Sequence, residues 1–139
     1  YKGLTNLSRF ADWGPTSGHM RFIEKSCRRL ARSSFHGMAL YQAKMERKQG
    51  FLFRCVDIVM ELFAMAATLS HARALKDSGS PNAAHAQELA DLFCRGSRRK
   101  VNRWFRDLWS NDDDLKNRVA AKVLNGDETW LEEGAMGIG

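Results

Sequence analysis

Two acids one helical turn apart, Asp57 and Glu61, interrupt the most apolar run of the chain, Val56 to Leu69. Neighbouring carboxylates push each other's pKa values apart, which suits one to donate a proton and the other to accept it. A plainer arrangement uses the same residues. On a helical wheel Arg54, Asp57, Glu61 and Thr68 lie along one side, and Arg54 precedes Asp57 by the three residues of a helical ion pair. Burying either charge unpaired is costly, so a structural polar stripe of Arg54, Asp57 and Glu61 is expected, and no catalytic residue. The run is also too short to span a membrane, which takes about 20 apolar residues.

The second stretch with chemical potential is RGSRRKVNRWFRDLW, residues 95–109. Arg95, Arg99, Arg103 and Arg106 share a helical face, Arg98 lies beside it, and Trp104, Phe105 and Trp109 are close by. Guanidiniums mixed with aromatics suit phosphates and bases, or an anionic membrane surface with tryptophan at the interface. They equally suit a solvated outer face whose aromatics turn inward. Contact with an anionic surface is expected of Arg95, Arg98, Arg99, Arg103, Arg106, Trp104 and Trp109. No helix-turn-helix, zinc-finger or single-strand-binding signature supports nucleic acid.

The remaining reactive residue types carry little. His19, His36, His71 and His85 have no metal-type partner at i+3 or i+4, and there is no Cys-x-x-Cys. A metal site is not expected. Cys27, Cys55 and Cys94 fall at positions that read as inward-facing on three different helices, so all three are expected as buried structural thiols. The GAMGIG tail lacks the flanking strand and helix of a phosphate cradle and reads as a mobile end.

The elements that must carry these residues are helical. Met20, Ile23, Cys27, Leu30, Ser34, Met38, Tyr41 and Met45 recur every three or four residues. A second helix is expected from about Phe51 to Lys76, broken by Asp77-Ser78-Gly79-Ser80-Pro81. Ser80-Pro81 reads as the start of a third, reaching Leu108 or Trp109. A short fourth begins at the acid run 112–114, where negative charge suits a helix N-terminus, and stops at Asn125-Gly126. No segment alternates as a strand does. The fold class is all-α: an antiparallel helical bundle of three long helices and one short. The expected organisation is an irregular lead-in over 1–19, with Phe10 and Trp13 docking on the core, a bundle domain over 20–126, and an acidic, then glycine-rich tail over 127–139.

Composition sets the outer bounds. The chain has 139 residues, 44% hydrophobic and 27% charged, which fits one globular domain. It begins with Tyr1, as expected of a segment of a longer chain. Three sparse cysteines point to a reducing compartment rather than a disulfide framework. The net charge of +6 is uneven. Nine basic residues stand against Glu24 and Glu46 over 21–54, and six against no acid over 95–106. Such asymmetry suggests a surface that meets anions.

With its neighbours, the opening stretch resembles the extra C-terminal domain of very-long-chain acyl-CoA dehydrogenases. The resemblance is carried by Gln49, Arg54 and Asp57, by Glu61-Leu62-Phe63-Ala64-Met65, by Leu69-Ser70, and by His85 and Cys94 on the next helix. It covers roughly residues 20–95. It implies a parent flavoprotein that uses FAD to remove two hydrogens from a long-chain fatty acyl-CoA, with the catalytic and flavin-binding residues upstream. This segment would bind no cofactor itself. The resemblance further implies packing on the dehydrogenase body of the same chain, a homodimer, and attachment to an anionic membrane surface, in the bacterial cytoplasm or on the mitochondrial matrix side. The rival reading is a free-standing basic helical module that binds nucleic acid or an acidic protein.

Overall fold

A computed structural model describes residues 10–42, 44 and 48–136. Among them the regular structure is helical: a 3₁₀ segment Ala11–Thr16, then α1 (Ser17–Tyr41), α2 (Gln49–Asp77), α3 (Ala83–Asp107), α4 (Asp113–Leu124) and α5 (Trp130–Met136). The all-α class is as expected. The chain divides into two compact units, Tyr1–Trp109 and Ser110–Gly139.

The first unit is a three-helix bundle, and its buried residues show why. On α2 they are Phe51, Ile58, Leu62, Met65, Leu69 and Ala72; on α3, Ala90, Cys94, Ser97, Val101 and Phe105. Steps of three and four keep one seam of each helix on its neighbour, the spacing of antiparallel bundles. Side-chain pairs fix the directions. Ser34 of α1 meets Cys55 of α2 (3.9 Å) near one end, while Trp13 lies under Arg73 (4.7 Å) at the other, so α1 and α2 are antiparallel. Glu61 of α2 meets Ser97 of α3 and Phe51 meets Trp109, so α2 and α3 are antiparallel too. His19–Asp91, Phe22–Arg98 and Phe105–Arg29 then run parallel between α1 and α3.

The face of α1 is rotated from the expected one. His19, Ser26, Leu30 and Gly37 are buried, whereas Cys27 and Met38 are exposed. The apolar spacing marks one edge of the buried face, with Leu30 buried and Met20, Ile23 and Tyr41 packed on the core, while its centre is made of small and polar residues. Gly37 is the clearest case: a Cβ there would overlap the Phe51 ring. The periodicity was expected to run on to Met45, but α1 ends at Tyr41, and Met45 lies outside the described residues.

Helix ends follow local chemistry. Gly79 (φ 67°) and Gly126 (φ 82°) adopt the left-handed conformation after α2 and α4. In each case the following amide reaches back to close the helix, Ser80 N to Leu75 O and Asp127 N to Lys122 O, both 3.0 Å. Ser80-Pro81 forms a turn before α3 rather than its first residues. Ser80 Oγ accepts from Asn82 N (3.3 Å), and the helix opens at Ala83. The lead-in is more ordered than expected: α1 begins at Ser17, preceded by the 3₁₀ segment, and Trp13 packs on the core.

The second unit holds α4 and α5. Asp113 and Asp114 occupy the first turn of α4, where Asn111 Oδ1 accepts from Asp113 N (3.0 Å). No residue of α4 is buried. The expected boundary at 126/127 falls inside this unit, and α5 lies in the segment read as tail.

Candidate functional site

Asp57 and Glu61 go separate ways. Glu61 turns toward α3, with its side chain 14% exposed. Its Oε1 accepts from Ser97 Oγ (2.6 Å) and from Lys100 Nζ (3.2 Å). Asp57 is exposed and Arg54 is half-buried. Glu61 therefore serves as an acceptor that ties α2 to α3, with Ser97 and Lys100 as partners that helical spacing within α2 does not reveal.

The arginines of α3 also divide. Arg95 Nε donates to Asp91 Oδ2 (2.7 Å), and the Arg98 guanidinium lies over the Phe22 ring (4.8 Å). Trp104 packs against the core, and Trp109 lies 5.5 Å from Phe51, ring to ring. Arg99, Arg103 and Arg106 are exposed and share an open groove of about 520 Å³ with Asn102 and with Arg29 of α1. Arg29, absent from the sequence-based set, is placed there by the parallel pairing of α1 and α3; its guanidinium lies 4.3 Å from the centre of the Phe105 ring.

A second feature is apolar. Leu52, Phe53, Val56, Val59, Met60 and Phe63 of α2 are all exposed, Phe63 by 72%. They line the side of the helix opposite its buried seam. Val59 and Phe63 also border a groove of about 530 Å³ between α1 and α2, with Ile23, Leu30, Ala31 and Ala66. The run Val56–Leu69 is thus apolar on two sides but covered on one. Contiguous exposed apolar surface of this kind marks a contact site.

The titratable core groups carry structural work. His19, buried to 4%, and Asp91 are 2.7 Å apart; Nε2 donates, since a carboxylate only accepts. His19 Nδ1 is buried and has no partner among the described residues. The hydrogen bond from His19, and then that from Arg95, hold the Asp91 carboxyl below its ordinary pKa. The three thiols are free. Burial, reinforced by the Asp91 charge, pushes Cys94 up to about 11; burial raises Cys55 as well, against the Ser34 hydrogen bond. Cys27 is exposed, contrary to the expectation of three buried thiols: it lines the open apolar groove between α1 and α2 rather than the closed seam. No three His, Cys, Asp or Glu side chains converge as a metal site among the described residues. No described helix is long and apolar enough to cross a membrane.

Residues 20–128 match the family described as "ACAD9/ACADV, C-terminal domain". The chain belongs to the ACAD9/ACADV C-terminal domain family. The match spans α1 to α4, and so includes both the arginine groove and the apolar face. Curated relatives named "Probable acyl-CoA dehydrogenase FadE10", from Mycobacterium bovis and Mycobacterium tuberculosis, are each 44% identical over 127 residues. These alignments cover 91% of this chain and 20% of each relative, so the chain spans about a fifth of their length. No solved structure matches the chain.

Proposed function

We propose that this ACAD9/ACADV-type C-terminal domain is the non-catalytic helical part of an FAD-dependent dehydrogenase of long-chain fatty acyl-CoA. Its role is quaternary: it packs on the upstream dehydrogenase body and supports a homodimer. The observation that carries this reading is the outer face of α2. Leu52, Val56, Val59, Met60 and Phe63 follow helical spacing as regularly as the buried seam does, yet they are exposed. A patch so ordered is stabilised by being covered, and a body several times the size of this chain, as in the FadE10 relatives, offers the cover.

The flavin belongs to that body. The apolar groove between α1 and α2 has a single hydroxyl, Ser34, in its lining, which does not supply the set of donors that the polar edge of a flavin ring requires. We therefore assign no catalytic step to residues of this chain. The anionic-surface role expected of α3 rests on Arg99, Arg103 and Arg106, with Trp109 exposed at the same helix end while Trp104 is packed on the core. The mycobacterial relatives favour a bacterial cytoplasmic setting over a mitochondrial one.

The test is made on the full-length protein that carries the domain. It should purify with flavin, and a long-chain fatty acyl-CoA should bleach that flavin's absorbance. Purification without flavin, or with flavin that no acyl-CoA reduces, would refute the reading.

A further inference from the structure

We propose that Arg29, Arg99, Arg103 and Arg106 form a binding site for the polyphosphate group of a small ligand, with Asn102 as its neutral polar partner. The inference rests on the groove and not on the dehydrogenase reading.

Four cations of the bundle are answered by a carboxylate: Arg28 by Glu24, Arg73 by Asp77, Arg95 by Asp91, Lys100 by Glu61. The four groove arginines make no ion pair with a carboxylate among the described residues, and no acid lines the groove. A neighbouring basic groove on α1 contrasts with this one, because Glu24 lines it. Like charges at i,i+4 destabilise a helix by a few tenths of a kcal/mol, so a dense anion would relieve Arg99, Arg103 and Arg106 together.

Positions 99, 103 and 106 are successive stations of one helical face, with Cβ atoms about 5–6 Å apart. Arg29 reaches the same groove from another helix and is held over Phe105. A single carboxylate is satisfied by one guanidinium fork. Four forks from two sides match tetrahedral groups that carry several charges in a short span, which is the form of linked phosphates. All four cations are arginine, the residue suited to bidentate phosphate contact. None of the lining residues is apolar, so the ligand brings charge here rather than hydrophobic surface.

The experiment titrates inorganic tripolyphosphate and inorganic phosphate into the full-length protein, followed by calorimetry and phosphorus NMR. Tripolyphosphate should bind more tightly than phosphate. Arg103→Gln and Arg99→Gln should each weaken it about tenfold or more, the loss of a charge-assisted contact. Arg95→Gln, on the same helix but paired with Asp91, should change it less than about twofold. Arg103→Lys, which keeps the charge and loses the fork, should fall between, and serves if a glutamine variant fails to fold. Equal losses in Arg95→Gln and Arg103→Gln would overturn the proposal in favour of a diffuse field. Tripolyphosphate binding untouched by Arg99→Gln and Arg103→Gln would place the site elsewhere and overturn it. Binding to anionic phospholipid vesicles without binding to tripolyphosphate would overturn it in favour of a membrane surface.

Discussion

Ser97 of α3 donates a 2.6 Å hydrogen bond to Glu61 of α2, across the seam between the two helices. Ser97 is 1% exposed, so its hydroxyl has no water to turn to if the carboxylate is removed. Glu61→Ala should cost about 1–3 kcal/mol in urea unfolding, the penalty of an unsatisfied buried polar group. Glu61→Gln, which keeps an acceptor, should cost less. Neither should alter turnover per flavin in the full-length enzyme; a rate that falls with stability unchanged would return Glu61 to the catalytic candidates.

Gly37 gives the packing prediction. A side chain there overlaps Phe51, which itself contacts Tyr41 (5.6 Å) and Trp109 (5.5 Å). Gly37→Ala should therefore destabilise the bundle by about 1–3 kcal/mol despite its better helix propensity, as overpacking does. Adding Phe51→Leu should recover part of the loss, a non-additivity readable from melting temperatures of the two single variants and the double.

The thiols should differ in alkylation rate near pH ~8, the ordinary cysteine range. Cys27 is exposed and should react first. Cys55, raised by burial, should lag, and Cys94, fully buried and pushed up to about 11, should react only on unfolding. Mass spectrometry of native protein pulsed with iodoacetamide reads the order.

Asp91 gives a pH dependence. Its carboxyl is held below the ordinary value by His19 first and Arg95 second. A depressed folded-state pKa stabilises above the unfolded value, about 3.9, and that contribution is lost as pH falls through the folded one. The melting temperature of wild type should thus exceed that of Asp91→Asn at neutral pH, and the gap should close in acid. A gap that widens on acidification would contradict the His19–Asp91–Arg95 arrangement.

The sequence discloses helices better than faces. Periodicity located α2 to within two residues at its start because its apolar seam is continuous, and Gly126 announced the end of α4 because few residues take that conformation without strain. The face of α1 was legible only at one edge, through Met20, Ile23, Leu30 and Tyr41, because close approach is made by Ser26 and Gly37, which carry no hydrophobic signal. Arg29 was missed at the groove because only tertiary pairing brings α1 beside α3. His19–Asp91 spans 72 residues of chain, a separation at which spacing says nothing. Within one helix the signal is stronger: Asp91 precedes Arg95 by four residues, and that pair is formed.

The central claim is that the outer face of α2 docks this domain on a flavin-bearing body. Its most direct measurement is made on the full-length protein with Met60→Glu and Phe63→Glu together, two exposed positions whose replacement leaves the buried seam intact. Limited proteolysis and sedimentation velocity should show the domain released and the dimer weakened, with flavin content retained. A double variant with the protease resistance and the sedimentation coefficient of the wild type would contradict the account.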